Sequence, residues 1–471
     1  MTENRKIEHL KTAIIVVLFI TTILLLFLVW RTDSRASSFK LSSILGSRGQ
    51  AVWIPGTDDF IEPDWVIYGY GDGTFTKDRE VVPEIYAQAI GAIANASAGT
   101  SIAVSEITQE QYEELLRTYE SIRICFPFGV PFGEFCDRNG IKKQAGFDQA
   151  QRMNEIFVIS AVDESFFIVD GDSCYRFMSD KDLMLAEQWM AAKPENADVL
   201  YSAGDILGVS NTTPIPLALL STMPELKYTP ETEAAGDAIR NQIAEAVFGE
   251  NFEFVRRITD NFGTITYMYG FGQKTLTCSP DGTFVYRTDA ASGVDPGFYS
   301  SLEKAIAFMA NAGGWGDKNH SLEFRLADCS EEGSGRNKVY TFEFAQNAGG
   351  SRILGESGCA MTVQVCAGEV SSFVRSVVNT SAETSELRPA ADAVNVIAGN
   401  CNLMYNVLQS SILSETKDEA FTYTCANLSR IYTGYIRTED LLVPGWGITL
   451  KDGSEFYFNL YTAAPLGFTR K

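Results

Sequence analysis

The stretch GITLKDGSEFYFNLY, Gly447 to Tyr461, carries the pattern from which the fold class follows. Phe456, Phe458 and Leu460 alternate with Tyr457 and Asn459, the two-residue period of a strand whose two faces differ. Lys451-Asp452-Gly453 interrupts the run with turn formers, so Gly447–Leu450 is expected to pair with Glu455–Tyr461 as an antiparallel hairpin. A helical stretch, Ala390 to Gln409, precedes it and can cover one face of such a sheet, with a further strand expected near Thr422 to Thr424.

Working toward the N-terminus, the same order of helix and then strands occurs twice more. A helix over Ala234–Phe248 leads to strands at Phe252–Ile258, Thr264–Tyr269 and Thr283–Arg287, the last entered through the turn Pro280-Asp281-Gly282. A second helix, Ser301–Ala310, leads to Val339–Phe344, Met361–Val365 and Val370–Arg375, with Ala367-Gly368 joining the last two. Tyr340, Phe342 and Phe344 again alternate with polar residues. The spacing of the three units is irregular, which describes a recurring supersecondary unit rather than a solenoid. The fold class expected is α+β, antiparallel sheets covered by helices.

Pro214, Pro216, Pro224 and Pro230 concentrate before the first of these units and mark a boundary. Ahead of them, residues 51–223 mix both elements. Trp65–Tyr68 is strand-like and meets a hairpin turn at Gly69-x-Gly71-x-Gly73, and Pro83 opens a helix bearing Ile85, Ala89, Ile90 and Ile93. Thr108-x-x-Gln111 has the form of a capping box. Phe157–Ile159 and Phe166–Val169 are expected to form a hairpin, and Leu183–Ala192 a helix. The domains expected are thus an N-terminal α+β domain at 51–223, a central one at 231–380 and a C-terminal one at 383–471.

At the start of the chain lies AIIVVLFITTILLLFLVW, Ala13 to Trp30, uncharged throughout. As a helix it is about 27 Å long, enough to cross a bilayer once. Residues 1–12 then form a cytoplasmic tail and the polar, serine-rich 31–50 a linker to domains outside the cell. A cleaved signal peptide is the alternative, with Ser34-Arg35-Ala36 as its cleavage site, although its apolar core is typically shorter, about 7–15 residues.

Composition narrows the function. Sixty acidic residues against 38 basic ones give a net charge of −22, which repels phosphate backbones and anionic lipid. Nine scattered cysteines form no disulfide framework, leaving room for one or two bridges, and most are expected to pack as small apolar groups. With only His9 and His320, and no C-x-x-C pair, zinc and haem sites lack ligands.

Nor does any motif carry chemistry. Ser301-x-x-Lys304 has the S-x-x-K form of a Ser-Lys hydrolase, but Ser210-Asn211-Thr212 and Lys274-Thr275-Leu276 do not supply its companion motifs. Ser300-x-x-Glu303 instead suits a capping box at a helix start. His320 sits in a polar turn with no G-x-S-x-G elbow elsewhere, and Asp170-Gly171-Asp172 reaches Lys181 where a calcium loop needs its closing carboxylate. No residue is therefore nominated as catalytic, cofactor-binding or metal-ligating, and no cofactor is expected.

The segment Leu442-Val443-Pro444-Gly445-Trp446-Gly447-Ile448, with Lys451 to Asn459 after it, resembles the closing strand and hairpin of YycH and YycI proteins and of PepSY-like modules. The Met223–Pro230 connection and the single N-terminal anchor agree with YycH in particular. The resemblance implies a non-enzymatic accessory regulator in the Gram-positive envelope. Its implied partners are the WalK (YycG) sensor histidine kinase of the cell-wall two-component system and a YycI-like companion. A Ser-Lys hydrolase of the envelope, or a module binding peptide or glycan there, is the alternative.

Overall fold

The computed structural model describes residues 53–99, 101–160, 164–180, 189–191, 198–217, 219–221, 223–289, 293–315, 324–355, 359–381, 388–409 and 417–470. The tail, the apolar stretch at 13–30 and the linker lie outside the described residues, as does most of the helix expected at Leu183–Ala192. Among the described residues no helix is long and apolar enough to cross a membrane.

Strands form where β-branched and aromatic residues meet glycine turns. Trp65–Tyr70 (β1) and Thr74–Asp78 (β2) pair across Gly71-Asp72-Gly73, with Tyr68 opposite Thr76. Val82–Ser97 (α1) carries Pro83 in its first turn and buries Ile85, Ala89 and Ile93 on one stripe. Ile102–Ile107 (β3) leads into Gln109–Thr118 (α2). There the capping box is complete: the Gln111 N–H donates to Thr108 Oγ1 at 3.2 Å and the Thr108 N–H donates to Gln111 Oε1 at 2.9 Å. Thr108→Ala is expected to lower stability by about 1 kcal/mol, checked by urea unfolding.

Glu120–Pro131 (β4), Phe132–Arg138 (α3), Arg152–Ile159 (β5), Ser165–Asp170 (β6), Ser173–Ser179 (β7), Leu200–Ser202 (β8), Ala203–Leu207 (α4) and Pro214–Pro216 (β9) complete the first layer. Its nine strands run β3-β7-β6-β5-β4-β1-β2-β8-β9, and the β5–β6 hairpin is the one expected. Both faces of this sheet are covered. α1 packs with Val66, Tyr68, Ile122, Ile124 and Ile156, whereas α2 sets Tyr112 and Leu116 against Phe157, Phe167 and Cys174 on the other side.

Leu220–Ser221 (β10) and Leu226–Pro230 (β11) precede Glu231–Phe248 (α5), then Arg256–Thr259 (β12), Ile265–Tyr269 (β13), Lys274–Cys278 (β14) and Phe284–Thr288 (β15). Phe298–Asn311 (α6) is followed by Phe324–Glu332 (β16), Val339–Ala348 (β17), Ser351–Leu354 (β18), Cys359–Cys366 (β19), Glu369–Arg375 (β20), Val378–Ser381 (β21) and Arg388–Pro389 (β22). Last come Ala393–Gln409 (α7), Lys417–Ala426 (α8), Leu428–Arg437 (β23), Leu441–Leu450 (β24), Glu455–Asn459 (β25) and Pro465–Thr469 (β26). A second sheet of fifteen strands takes in all but β10 and β22, which pair with each other.

Two expected strands are corrected. Phe252–Ile258 opens as part of a 3-10 turn, Gly249–Phe254, and becomes strand only at Arg256. Thr422–Thr424 lies inside helix α8, because Ala420, Thr424 and Cys425 recur at helical spacing and are buried, with Thr424 Oγ1 donating to the Cys401 carbonyl of α7 at 3.4 Å. The C-terminal hairpin is present, with Ile448 opposite Phe456 and Trp446 opposite Phe458. α7 covers it through Val396, Ile397 and Met404.

Residues Trp53–Lys471 form one compact unit. The first and second sheets share a core, since Phe60 lies 4.6 Å from Trp315 and 5.3 Å from Phe344 between ring centres, and Phe128 meets Phe298. The second sheet likewise crosses the expected boundary at 380–383. β18 pairs with β23 in parallel, Ile353 beside Tyr435 and Leu354 beside Ile436. The close approach there requires glycine: a Cβ on Gly434 would sit 2.5 Å from the Arg352 carbonyl and 2.7 Å from Leu354.

Candidate interaction surface

The one reactive pair that the sequence offered is taken apart by the fold. Ser301 sits on the core face of α6 with no exposure, its Oγ without a hydrogen-bond partner, whereas Lys304 is exposed. A nucleophile shut away from solvent and from its base cannot meet a substrate. α6 also begins three residues earlier than a Ser300-x-x-Glu303 box requires. Its N-cap is Gly297, and its first N–H groups, on Phe298 and Tyr299, donate to the Glu134 carboxylate at 3.0 and 3.4 Å. Ser301→Ala is expected to leave stability unchanged or raised by up to about 2 kcal/mol, because it removes a desolvated hydroxyl, and to leave labelling by a covalent serine probe unaltered.

His320 lies outside the described residues. Gly69, Gly71 and Gly73 belong to the β1–β2 hairpin, and Asp170-Gly171-Asp172 is the β6–β7 turn, where Asp170 Oδ2 accepts from the Gln151 and Arg152 N–H groups at 2.8 and 2.9 Å. Among the described residues no group of three His, Cys, Asp or Glu side chains could hold a metal ion. All nine cysteines are free thiols, so the room left for disulfides is not used. Burial pushes Cys136, Cys278 and Cys425 up to about 12, which keeps them as inert, protonated core residues.

Charge is instead spent on holding layers together. On the α2 side of the first sheet, Arg123 donates to both Glu155 oxygens, from Nε at 2.9 Å and from a terminal nitrogen at 2.7 Å, and Tyr112 OH donates to the same carboxylate at 3.1 Å. Between the sheets, Arg152 pairs with Glu331 at 2.9 Å, and Glu331 with Lys338 at 2.7 Å. Arg375, 2% exposed, grips Glu231 at the start of α5 through two bonds of 2.8 and 2.9 Å. Asn211 ties the first layer to α8 and β23 by donating to the Cys425 and Leu428 carbonyls at 2.9 and 2.8 Å. Apart from Glu331 and Lys338, these partners are far apart in the chain, and residue order gave no sign of them.

Shallow features of the surface include a hollow and a groove. The hollow, of about 110 Å³, includes Asp59, Glu62, Asp64 and Arg325, and burial there raises the Glu62 carboxyl above its ordinary value. The groove, open and of about 320 Å³, lies between α2 and the first sheet, floored by Leu115, Ile159 and Phe167. Neither lining includes a serine, cysteine, lysine or histidine.

A third feature is an edge. β12 ends the strand order of the second sheet, and all four of its residues are exposed. Phe254, Ile258 and Phe262, on and beside it, are 74%, 50% and 86% exposed. Large apolar groups held in water over so short a stretch make this edge a candidate contact surface.

Helices laid on two largely antiparallel sheets, with charge used as internal fastening between them, form the scaffold of this chain. That scaffold is the fold of YycH. The chain superposes on YycH from Bacillus subtilis with a TM-score of 0.54 at 12% sequence identity, covering 88% of this chain and 97% of that one. An uncharacterized protein from Eubacterium rectale matches at 11% identity over 55% of this chain and 91% of its own, with a TM-score of 0.32, too loose an overlay to bear on the fold. No family model and no curated protein matches the sequence.

Proposed function

We propose that the protein is a membrane-anchored, extracytoplasmic accessory regulator of a sensor histidine kinase that controls cell-wall homeostasis, acting by contact together with a YycI-like companion. The observation that carries this is the YycH fold over nearly the whole chain. The apolar stretch at 13–30 supports the anchor, and the division into 51–223, 231–380 and 383–471 belongs to the same reading.

Regulation by contact works as a population shift. Docking must favour one kinase state over another, and a preference of about 1.4 kcal/mol changes their ratio tenfold. No chemistry on this chain is needed for that. Crosslinking in native membranes, with identification of what is attached, tests the proposal. The expected result is a histidine kinase among the adducts and a changed kinase output on deletion. Adducts without a kinase, together with unchanged output, would overturn it.

A further inference from the structure

We propose that the β12 edge is a docking strand, which takes an extended acidic segment of a partner protein as an added strand of the second sheet. The inference rests on the regulatory reading in one respect, that the occupant is another protein of the same envelope.

The backbone is arranged for it. The Asp260 N–H donates to the Thr264 carbonyl at 3.0 Å, so that residue faces β13. Hydrogen-bonding direction alternates along an antiparallel strand, so Ile258 and Arg256 face β13 as well. The N–H and C=O groups of Arg257 and Thr259 therefore point outward, spaced to receive another strand.

Edge strands are commonly guarded by charge, and Arg256 and Arg257 by themselves fit that role. A guarded edge has no use, however, for Phe254, Ile258 and Phe262 held half or more in solvent. The sign of the charge also selects the occupant. In a chain of net charge −22, Arg256 has no ion-pair partner among the described residues, and Arg257 has only Asp237, at 4.0 Å. Arg256, Met268, Thr275 and Arg287 lie opposite one another across four strands, which puts Arg256 and Arg287 on the same face, and Arg287 likewise has no ion pair among the described residues. This is the face away from Tyr267, which is buried on the side of α5 and α6. A cationic edge on an acidic body attracts a carboxylate-bearing segment, while a second copy brings another net charge of −22. The segment that fits has carboxylates facing Arg256 and an apolar side chain beside Ile258.

The test uses the full chain in native membranes, with p-benzoylphenylalanine in place of Ile258 or, as a control, of Lys451 at the tip of the β24–β25 hairpin. Photolysis and mass spectrometry locate the joined peptide. The expected result is an adduct at 258 on an Asp- or Glu-bearing segment of another protein. Arg256→Glu should cut its yield about tenfold, and a reversed charge on the mapped segment should restore it. Thr259→Pro, which removes an outward N–H and leaves the β13 ladder intact, should cut it as well. An unchanged circular dichroism melt shows that both variants fold.

No adduct at 258, an adduct to a second copy, or an adduct indifferent to Arg256→Glu overturns the docking strand. A charge-sensitive adduct on a protein that is neither a histidine kinase nor a YycI-like companion sustains the docking strand and removes the regulatory reading. A kinase captured at 451 alone does the reverse.

Discussion

Glu155→Ala is expected to destabilise the fold by about 3–5 kcal/mol, because it leaves a buried arginine without its counter-ion. Arg123 and Glu155 are 13% and 8% exposed at their side chains, and two of the guanidinium nitrogens are committed to that carboxylate. The remaining nitrogen already has no partner, so the arginine has no second acceptor to turn to. Tyr112 loses its acceptor as well, and Cys125 Sγ, 3.5 Å from the same carboxylate, cannot take the carboxylate's place. Replacing both members, Arg123→Met with Glu155→Leu, should stay within about 1–2 kcal/mol of the parent, because the desolvation cost disappears with the charges. Urea unfolding followed by tryptophan fluorescence separates the two cases. A single variant as stable as the double would show that Arg123 is solvated after all.

Arg375→Met should cost a similar amount, about 3–5 kcal/mol, at a different seam. The guanidinium lies between β20, the start of α5 and the chain that leaves α6. Besides Glu231 it reaches the carbonyls of Gly313 and Gly314, at 3.5 and 3.3 Å. Methionine can fill the volume but gives these acceptors nothing. Arg375→Lys is expected to recover only part of the loss, since an ammonium cannot make two parallel bonds to one carboxylate. The unfolding midpoints of the three proteins give the ranking, and equal midpoints for lysine and arginine would remove the geometric part of this account.

What the residue order disclosed was local. The Thr108 capping box, the Lys451-Asp452-Gly453 and Pro280-Asp281-Gly282 turns and the alternation of Tyr340, Phe342 and Phe344 depend on residues a few positions apart, and each appears in the structure as expected. Strands whose pattern was less distinct, β14, β16 and β23, were missed, and the Phe421-Thr422-Tyr423-Thr424 run looked like a strand because β-branched and aromatic residues dominate it. Packing on α7 overrode that preference. The likeness to YycH was legible from the C-terminal motif, whereas the exposed β12 edge was not, since the sequence does not show which strand will lack a neighbour. The ion pairs joining the layers escaped for the same reason: Arg375 and Glu231 are 144 positions apart.

The parallel splice between β18 and β23 governs how strain is shared. Two residue pairs make it and two more make the neighbouring β17–β18 ladder, while β17–β19 and β23–β24 beyond them are several times longer. Compliance therefore gathers along that crease, leaving a stiff panel on either side.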